Sequence, residues 1–600
     1  MTTERANASR AWAHWVPVLG WVRHYQRDDL VSDLIAGVVV AIMLVPQGMA
    51  YAMLAGLPAE VGLYASILPL ILYGLLGTSR TLAVGPVAIV SLLVATGIVP
   101  LAEAGSAQYV ALALTLALMV GLIQFVMGIV KLGTLVNFLS HPVISGFTSA
   151  AAIVIGWSQL KHVLGFNVPR GEFIEQVTHT LGHLGETNPV TLLIGLAGVG
   201  TLLFFKNRLG SLLQKVGLPA TWVVPLTKAG PLLIVALGAL LVGALGLDQR
   251  SGVGIVGNVP AGRPPLTLPQ VDTGSLRALL PTALAISFVG YMESVSVAKS
   301  LASKRREKID ANQELIALGV ANLGAAVTAG YPVTGGFSRS VVNFAAGARS
   351  GLASILTALL VALTLLFLTP LFYYLPQAIL AAIILVAVAG LIDTKSFVHA
   401  WRYSKADAFS LLVTFFAVLL IGVEQGILVG VVVTIALYLW RTSRPHVAEV
   451  GRVGDSEIYR NVARHTVQTS SAVHMLRVDE SLYFANSKFL EDTVLAAVAD
   501  HPDIKAFVLV GTAINFIDAS ALETLEQLHH ALEAVGVEMH FAALKGPVMD
   551  RLRTIGFVDE VGAQRFHLSP HDAMIALGAV APTNGHQQRQ TLPAYAPVKR

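Results

Sequence analysis

A membrane-length apolar run near the N-terminus, interrupted at its middle, constrains the fold of this chain more than any other feature. The run extends from Asp33 to Tyr64, and Pro46, Gln47 and Gly48 lie at its centre. At membrane depth, unwound backbone is tolerated only where protein or a water-filled cavity satisfies its N–H and C=O groups. Transporters use such interruptions to build binding sites near the bilayer midplane. The run therefore predicts a membrane transporter whose first helix is broken at Pro46.

The composition indicates that much of the chain lies in lipid. Of the 600 residues, 54% are hydrophobic and 13% are charged, whereas globular domains average about 25% charged residues. Residues 1–31 are polar and basic, and the apolar run after them lacks a cleavage-site pattern, so we expect no secretory signal peptide. The chain has no cysteine, which excludes disulfides. Its net charge of +4 is small and dispersed, so we expect no nucleic-acid partner.

Segments long enough to cross a hydrocarbon core recur as far as residue 443. Such a core is about 30 Å thick and takes about 20 helical residues to cross. The fourteen predicted spans cover residues 32–52, 60–78, 86–100, 108–131, 143–163, 189–206, 229–246, 276–299, 312–329, 336–347, 351–373, 376–393, 406–422 and 426–442. Two spans are short, the third beginning at Gly85-Pro86 and the tenth at Thr334-Gly335-Gly336.

The basic residues orient these spans. Lysine and arginine cluster in the loops that follow even-numbered spans, as in the run from Lys304 to Lys308, and they are sparse in the other loops. Cytoplasmic loops of membrane proteins carry the excess of Lys and Arg. We therefore expect a multi-pass protein of the cell (inner) membrane with both termini in the cytoplasm.

After residue 443 the composition changes from apolar to mixed. Strand-like segments alternate with segments of helical periodicity, which indicates a small α/β domain. The predicted organisation has five parts: a cytoplasmic segment at 1–31, a transmembrane transporter domain at 32–443, a linker at 444–460, the α/β domain at 461–577 and a disordered tail at 578–600.

Five segments carry motifs that occur together in one known family. They are PQGMAYAMLAGLP at 46–58, GLYAS followed by YGLLGTSR between 62 and 80, HPVISGFTSAAAIVIGWSQLKHVLG at 141–165, GYPVTGGFSRSVVNFAAGARS at 330–350, and FVLVGTAINFIDASALETL at 507–525. In this order they resemble the SulP sulfate-permease family, relatives of the animal solute carrier 26 anion transporters, and the last resembles the STAS domain that ends most members. Val61 departs from the pattern, which has an aromatic residue there.

The resemblance implies a polytopic α-helical fold of seven plus seven spans in an inverted repeat, followed by a cytoplasmic α/β STAS domain. Spans 1–4 and 8–11 would form a core domain, and spans 5–7 and 12–14 a gate domain. Family members move sulfate, bicarbonate, chloride or dicarboxylates, commonly as homodimers. The resemblance implies no enzymatic activity and no cofactor.

An inverted repeat would place the N-termini of spans 3 and 10 opposite each other. Pro86 after Gly85 suits the first position of a helix, where the missing N–H of proline costs nothing. Thr334 can cap span 10, while Gly335 and Gly336 leave their amides accessible to a ligand. Helix N-termini offer partial positive charge and free N–H donors, which suit an oxyanion. The alternative is that these residues merely kink ordinary spans.

Six further residues complete the predicted substrate site: Gln47, Tyr51, Val87, Phe337, Ser338 and Arg339. Gln47 and Tyr51 lie one turn apart on span 1, where they either contact the anion or only pack against other helices. The aromatic edge of Phe337 and the hydroxyl of Ser338 suit a partly dehydrated anion. Arg339 either attracts the substrate or pairs with a carboxylate.

Glu293 is the candidate for ion coupling. It precedes Lys304 by eleven residues, or about 16 Å of helix, which places it near the middle of the bilayer. Carboxylates within the membrane are expensive and usually functional. The resemblance makes Glu293 a proton carrier or a sodium ligand, and the alternative is a fixed ion pair with Arg339.

The STAS-like part contains one candidate regulatory residue. Asp518-Ala519-Ser520 opens a predicted helix, and related anti-sigma-factor antagonists carry a phosphorylatable serine at this position. Ser520 is therefore either a regulatory site or only a first-turn residue. The histidines lack convergent partners, so we expect no metal site.

Together these features predict a secondary active transporter of small inorganic oxyanions, with sulfate as substrate and protons as the coupled ion. Alternatives on the same scaffold are a bicarbonate or C4-dicarboxylate transporter coupled to sodium, and an anion exchanger. A rival from another class is a membrane-tethered STAS regulatory protein. The half-helix starts and the mid-membrane Glu293 argue against this rival, because a vestigial pore needs neither.

Overall fold

The computed structural model describes residues 16–581, except 23–24, 135–139, 169–172, 218, 220–222, 224–225 and 270. Most of the predicted N-terminal segment and tail, residues 1–15 and 582–600, therefore lies outside the described residues. The chain forms two compact units, Met1–Thr434 and Ile435–Arg600, and each is described by itself.

The membrane part is built from fifteen principal helices in the described residues. They are α1 (Arg27–Leu54), α2 (Ala59–Tyr64), α3 (Leu68–Leu76), α4 (Ala88–Ile98), α5 (Ala107–Ile129), α6 (His141–Leu164), α7 (Pro189–Phe204), α8 (Gly230–Leu245), α9 (Thr273–Arg305), α10 (Ala311–Val327), α11 (Phe337–Ala345), α12 (Leu352–Phe367), α13 (Gln377–Val388), α14 (Lys405–Ile421) and α15 (Val423–Ser443). Each predicted span contains one of them, except that span 2 contains α2 and α3. Buried apolar side chains from both repeats form one continuous core.

The helices α4 and α11 are too short to cross a bilayer. With 11 and 9 residues, they reach only about 17 Å and 14 Å at 1.5 Å per residue. Each follows a two-residue strand, β1 (Val84–Gly85) before α4 and β2 (Thr334–Gly335) before α11. The two strands pair antiparallel, and this ribbon holds the half-helices of the two inverted repeats together.

The predicted break in the first span is wrong. The helix α1 runs without interruption from Arg27 to Leu54, with Pro46 inside it. Gly48 has a packing role against Gly62 of α2. A Cβ atom on Gly62 would lie only 1.9 Å from the carbonyl oxygen of Gly48. The small residues therefore let α1 and α2 approach closely and do not unwind the backbone.

Asp33 is also not the helix cap that its position suggests, because α1 begins six residues earlier, after Gln26. The Asp33 carboxylate is fully buried. It accepts hydrogen bonds from the amide of Arg349 (2.6 Å), the amide of Ser350 (3.2 Å) and the hydroxyl of Ser350 (2.5 Å). This carboxylate therefore ties α1 to the turn that follows α11.

Glu314 of α10 performs the same task for the loop that leads into β1. Its fully buried carboxylate accepts hydrogen bonds from the hydroxyl of Tyr73 (2.6 Å), the hydroxyl and amide of Thr78 (2.6 and 2.7 Å) and the amide of Ser79 (3.0 Å). Four donors compensate the loss of hydration of one buried carboxylate. The start of the loop that leads into β1 is thereby fixed.

The loops after spans 2, 8 and 10 lie together on one face of the membrane unit. Arg80 forms an ion pair with Glu307 (3.6 Å), and Arg305 donates to the carbonyl oxygens of Phe344 (3.2 Å) and Ala348. We call this side the basic face. The sequence prediction, in which every loop after an even-numbered span lies on one side, puts the loops after spans 6 and 12 on the same face.

The second unit contains a six-stranded sheet with helices. Its elements are β3 (Val447–Arg452), β4 (Tyr459–Asn461), β5 (Val473–Val478), α16 (Ser487–Asp500), β6 (Ala506–Val510), α17 (Ala519–Ala534), β7 (Glu538–Ala542), α18 (Gly546–Thr554), α19 (Phe557–Val561), β8 (Phe566–His567) and α20 (Pro570–Ala576). The strand order is β4-β3-β5-β6-β7-β8, with β5 to β8 parallel. The residues predicted as a linker, 444–460, contain β3 and the first two residues of β4, and these two strands extend the sheet.

Candidate functional site

The ribbon places the N-termini of α4 and α11 side by side. Val87 is the N-cap of α4 and Gly336 that of α11. Pro86 therefore lies one residue before the cap. The prediction that it occupies the first helical position is wrong. In the ribbon, Val84 pairs with Gly335 and Gly85 with Thr334, and the N-cap follows the end of its strand by two residues in α4 and by one residue in α11.

Two details predicted for the start of α11 are wrong. Thr334 does not cap the helix, because its hydroxyl donates to the carbonyl oxygen of Gly290 (2.6 Å). The amide of Gly335 is not accessible, since it donates to Oγ of Ser294 (2.8 Å). The amide of Gly336 likewise donates to the carbonyl of Ala83 (3.0 Å). The backbone N–H groups left for a ligand are those in the first turn of α11, which have no carbonyl partner within the helix.

Arg339 lies in that first turn and is buried, with 2% of its surface exposed. Its Nη1 atom donates to the carbonyl oxygen of Pro86 (2.7 Å) and, at 3.4 Å, to Oε1 of Gln47. Its Nε and Nη2 atoms are buried and have no hydrogen-bond partner among the residues the structure describes. The alternative of an arginine neutralised by a carboxylate therefore does not fit the described part of the chain.

Two glycines make room for this guanidinium group. A Cβ atom on Gly336 would lie 2.9 Å from Nη2 of Arg339, and one on Gly85 would lie 3.4 Å from it. Gly85 also has a φ of +146°, a conformation that favours glycine. The glycines at the two half-helix starts therefore leave room for Arg339, and the amide of Gly336 is already used by Ala83.

A cavity of about 370 Å³ opens beside Arg339. Of the predicted site residues it is lined by Gln47, Tyr51, Val87, Glu293, Gly336, Phe337, Ser338 and Arg339. Of the other four, Gly85, Thr334 and Gly335 belong to the ribbon and Pro86 follows it, and none of the four lines the cavity. The opposite wall comes from α7, α8 and α13, which belong to the gate domain.

The charge of the lining is positive. Arg339, Lys206 and Lys228 face one carboxylate, Glu293, among the described residues that line the cavity. Lys206 lies in a π-helical segment, Phe205–Leu209, that continues α7. From the sequence, Lys206 is only one of the basic residues that follow span 6, because nothing in the sequence places the end of α7 against the core domain. The cavity is thus suited to an anion.

Glu293 is not held in an ion pair in this structure. Its Oε2 atom is buried without a hydrogen-bond partner among the described residues. No Glu293–Arg339 contact within 4.0 Å occurs in the described part of the chain. The carboxylate therefore faces the cavity without a fixed counter-ion.

Two polar residues of α11 that the sequence analysis did not single out hold the half-helices together. Ser340 accepts a hydrogen bond from the amide of Ala83 (2.9 Å), and Asn343 donates to the carbonyl of Thr81 (3.0 Å). Both lie one turn or more after Gly336, facing the partner repeat. Their spacing of three residues, which places both on one side of the short helix, was the available signal.

Comparisons with known proteins agree with this geometry. A model of the sulfate permease family matches residues 30–414, and a model of the STAS domain matches residues 464–573. A probable sulfate transporter 4.2 of Arabidopsis thaliana is 36% identical over 571 residues, covering 93% of this chain and 83% of that protein. The chain belongs to the sulfate permease family. Sulfate transporter 4.1 of the same plant, a chloroplastic protein, is also 36% identical and covers 93% of this chain and 82% of its own length.

Among solved structures, the murine solute carrier 26 family member A9 anion transporter in its inward-facing state superposes with a TM-score of 0.86 at 26% identity, over 94% of both chains. This sulfate permease family member is accordingly a membrane-embedded, multi-pass anion transporter with a C-terminal STAS domain, and not an enzyme. The seven-plus-seven repeat is consistent with that shared fold.

The STAS unit of this family member contains Ser520 where the sequence predicted it. The helix α17 begins after Asp518, whose carboxylate accepts hydrogen bonds from the amides of Ala521 (2.8 Å) and Phe484 (2.9 Å). Ser520 is exposed in the first turn. Its regulatory role stays a prediction.

Proposed function

We propose that this anion transporter carries sulfate and couples its movement to protons. The observation that supports the substrate class is that Nε and Nη2 of Arg339 are buried and have no hydrogen-bond partner among the described residues. These two nitrogens share one edge of the guanidinium plane, and such an edge binds two oxygens of an oxyanion at once. The remaining nitrogen, Nη1, is anchored on Pro86.

The position of Arg339 strengthens the argument for an anion. A cation in the first turn of a helix opposes the helix dipole, and here a second helix N-terminus lies beside it. Buried charge and unsatisfied donors are costly unless a ligand compensates them. A tetrahedral dianion would meet the guanidinium edge, the first-turn amides of α11 and the hydroxyl of Ser338 together. The relatives named as sulfate transporters favour sulfate among the oxyanions.

Glu293 is the residue that we propose takes up the cotransported proton. It lines the same cavity as Arg339 and has no fixed counter-ion among the described residues. A carboxylate in such an environment favours its neutral form, and an arriving anion favours that form further. Binding of proton and anion would then be mutually favourable, as linkage requires.

The proposed orientation places the basic face and both termini in the cytoplasm of a cell (inner) membrane protein, following the excess of Lys and Arg. The cavity that contains Arg339 would then open inward. We also propose a homodimer, and we propose that residues 461–577, with Ser520, regulate or assemble the transporter without binding the transported anion. Truncation after Arg444 should therefore change expression or assembly and leave the order of preferred anions unchanged.

The test is uptake into proteoliposomes that contain the purified full-length protein. Labelled sulfate, bicarbonate, chloride and a C4-dicarboxylate are offered with an imposed proton gradient, an imposed sodium gradient or neither. Sulfate accumulation driven by protons alone is the expected result. Preference for bicarbonate or dicarboxylate, a requirement for sodium, or strict exchange would each replace the proposal by the corresponding alternative.

Glu293→Gln tests the coupling separately from binding. The amide keeps the shape of the protonated acid, so the variant should still bind sulfate and exchange it across the membrane. It should lose accumulation against a gradient when only protons drive uptake. Proton-driven accumulation by Glu293→Gln at the wild-type level would remove Glu293 from the coupling mechanism.

A further inference from the structure

The end of α7 and the start of α8 bring two lysines together on the gate side of the cavity beside Arg339. Lys206 follows α7 and Lys228 precedes α8, and both line this cavity. A Cβ atom on Gly230 would lie 3.0 Å from the ring of Phe205, so α8 begins directly against the residue before Lys206. The two lysines are therefore neighbours, and they lie on the wall opposite Arg339.

An uncommon helical geometry positions Lys206. It lies in the π-helical segment Phe205–Leu209, which continues α7. Such π-helical turns are rare and occur mostly at functional sites. The Nζ atom of Lys206 lies beside Gly390, where an added Cβ atom would be 3.7 Å from it. Gly390 also lines the cavity, in the turn after α13. The ammonium group of Lys206 is thus part of the cavity wall.

No carboxylate from the same part of the chain neutralises the two lysines. Between Glu186 and Asp248 the sequence contains no aspartate or glutamate, and this stretch includes the undescribed positions between 218 and 225. Neither lysine forms a salt bridge within 4.0 Å to a described residue. Among the described residues that line the cavity, the one carboxylate is Glu293, which belongs to the core domain.

The charges of the two lysines oppose each other. Burial and the nearby charge of Lys206 lower the pKa of the half-buried Lys228. Neighbouring like charges disfavour the charged form of each group, whereas an opposite charge close by favours it. An anion in contact with both lysines would remove the repulsion and raise the pKa of Lys228 again. The pair therefore has the charge that suits an anion.

The cavity has room for a small anion at more than one position. Its volume of about 370 Å³ lies within the range of about 300–1,000 Å³ that is usual for sites of drug-sized molecules. An inorganic oxyanion on the guanidinium edge of Arg339 would therefore leave the opposite wall unfilled. Arg339 belongs to the core domain, whereas Lys206 and Lys228 belong to the gate domain.

We propose that Lys206 and Lys228 form a second anion-binding point, at which the transported oxyanion is held on its way between Arg339 and the face of the membrane that carries these lysines. The proposal rests on the proposed transport function for its place in the transport cycle. Binding at the lysines is a separate property, because their chemical reactivity reports it without transport.

The first test measures acylation of the lysines by acetic anhydride, read by mass spectrometry of the purified full-length protein at constant ionic strength. Only the neutral amine reacts, so sulfate bound at the pair should slow the acylation of Lys206 and Lys228. A rise of about one unit in the pKa of Lys228 would slow its reaction about ten-fold at a pH below that pKa. Lys215 is the internal control, because it is exposed and does not line the cavity, and its rate should stay unchanged.

Arg339→Gln separates a second binding point from shielding by an anion that is held at Arg339. In this variant, sulfate should still slow the acylation of Lys206 and Lys228. Three results would each overturn the second binding point: no slowing in the wild type, equal slowing of Lys215, or complete loss of protection in Arg339→Gln at every sulfate concentration.

The second test measures transport from each face in oriented vesicles, with whichever anion the uptake panel identifies. Lys228→Gln should raise the KM about ten-fold for anion supplied from the face that carries the lysines, as expected for the loss of one hydrogen bond involving a charged group. The KM from the opposite face should change less than about two-fold. Lys228→Arg keeps the charge and should stay close to wild type on both faces.

Lys215→Gln is the matched control, because it removes a positive charge from the same connection outside the cavity. It should leave the KM unchanged on both faces. An equal rise on both faces in Lys228→Gln, or an equal effect of Lys215→Gln, would contradict the second binding point. If no anion of the panel is transported, the proposed function fails, and the acylation result alone decides the lysine site.

Discussion

Replacing Arg339 by glutamine is the most direct test of the anion site. The change removes the buried positive charge and the guanidinium edge formed by Nε and Nη2, both of which lack a partner in the described structure. It also removes the donor to the carbonyl oxygen of Pro86 (2.7 Å). The first loss should weaken anion binding, and the second should lower the stability of the protein.

The expected size of the two effects can be worked out from these contacts. A hydrogen bond to a charged group contributes about 1.5–3 kcal/mol, and about 1.4 kcal/mol corresponds to a factor of ten. Arg339→Gln should therefore raise the Kd for sulfate between about 10-fold and 150-fold. The unpaired carbonyl of Pro86 should lower the free energy of unfolding by about 1–3 kcal/mol. Arg339→Lys keeps the charge but has no flat edge, so its Kd should lie between those of wild type and Arg339→Gln.

Calorimetric titration of the detergent-purified variants with sulfate measures the Kd. Thermal unfolding without ligand measures the stability of each variant separately. Arg80→Gln is the control, because Arg80 is an arginine of the basic face with 51% of its side chain exposed, paired with Glu307. Exposed ion pairs contribute about 0–1 kcal/mol, so both its Kd and its stability should stay near the wild-type values. A folded Arg339→Gln that binds sulfate within two-fold of wild type would refute the assignment.

Three further changes test neighbouring features. Gly336→Ala places a Cβ 2.9 Å from the guanidinium of Arg339, so it should weaken sulfate binding about ten-fold while the melting temperature changes little. The hydroxyl of Thr282 on α9 donates to Glu424 in the first turn of α15 (2.7 Å), which joins core to gate. Thr282→Val should therefore increase labelling of a cysteine introduced at Leu92, which lines a cavity together with the junction of α14 and α15. Burial and the ring of His540 lower the pKa of His567 to about 4. The unfolded state then binds more protons than the folded state between about pH 4 and 6.5, so acidification should lower the stability of this region. Amide exchange in β8 should therefore increase on acidification, and it should increase less in His567→Gln.

The layout of the membrane unit was predictable because it depends on local properties of the chain. Apolar length predicted each span, and Gly85-Pro86 and Thr334-Gly335-Gly336 correctly indicated where the short helices α4 and α11 begin. The alternation of strands and helices after residue 443 correctly predicted an α/β unit. Each of these features needs only a few neighbouring residues to be recognised.

The partners of individual groups were not predictable, because they are far away in sequence. From the sequence, Gly48 predicts a break in the first helix, and only its contact with Gly62 shows that it allows close packing. The amide of Gly335 suggests a ligand donor until Ser294 is seen to accept its hydrogen bond. In both cases the residue type was recognised correctly and its partner decided a different role. Arg339 is the converse case, because only the structure shows which of its nitrogens are already used.

The spacing between Arg339 and Glu293 has a consequence for how the proposed site works. A carboxylate in hydrogen-bond contact with Nε and Nη2 would occupy the edge that the oxyanion needs, and breaking such a buried pair is expensive. Glu293 lines the same cavity but lies beyond 4.0 Å from the guanidinium group. Its charge can therefore be neutralised by a proton without first breaking an ion pair. In the proposed mechanism, departure of the anion would leave Arg339 without a partner among the described residues and would favour ionisation of the Glu293 carboxylate. A separation that is too long for a salt bridge, within one cavity, would therefore let one proton and one anion bind or leave together.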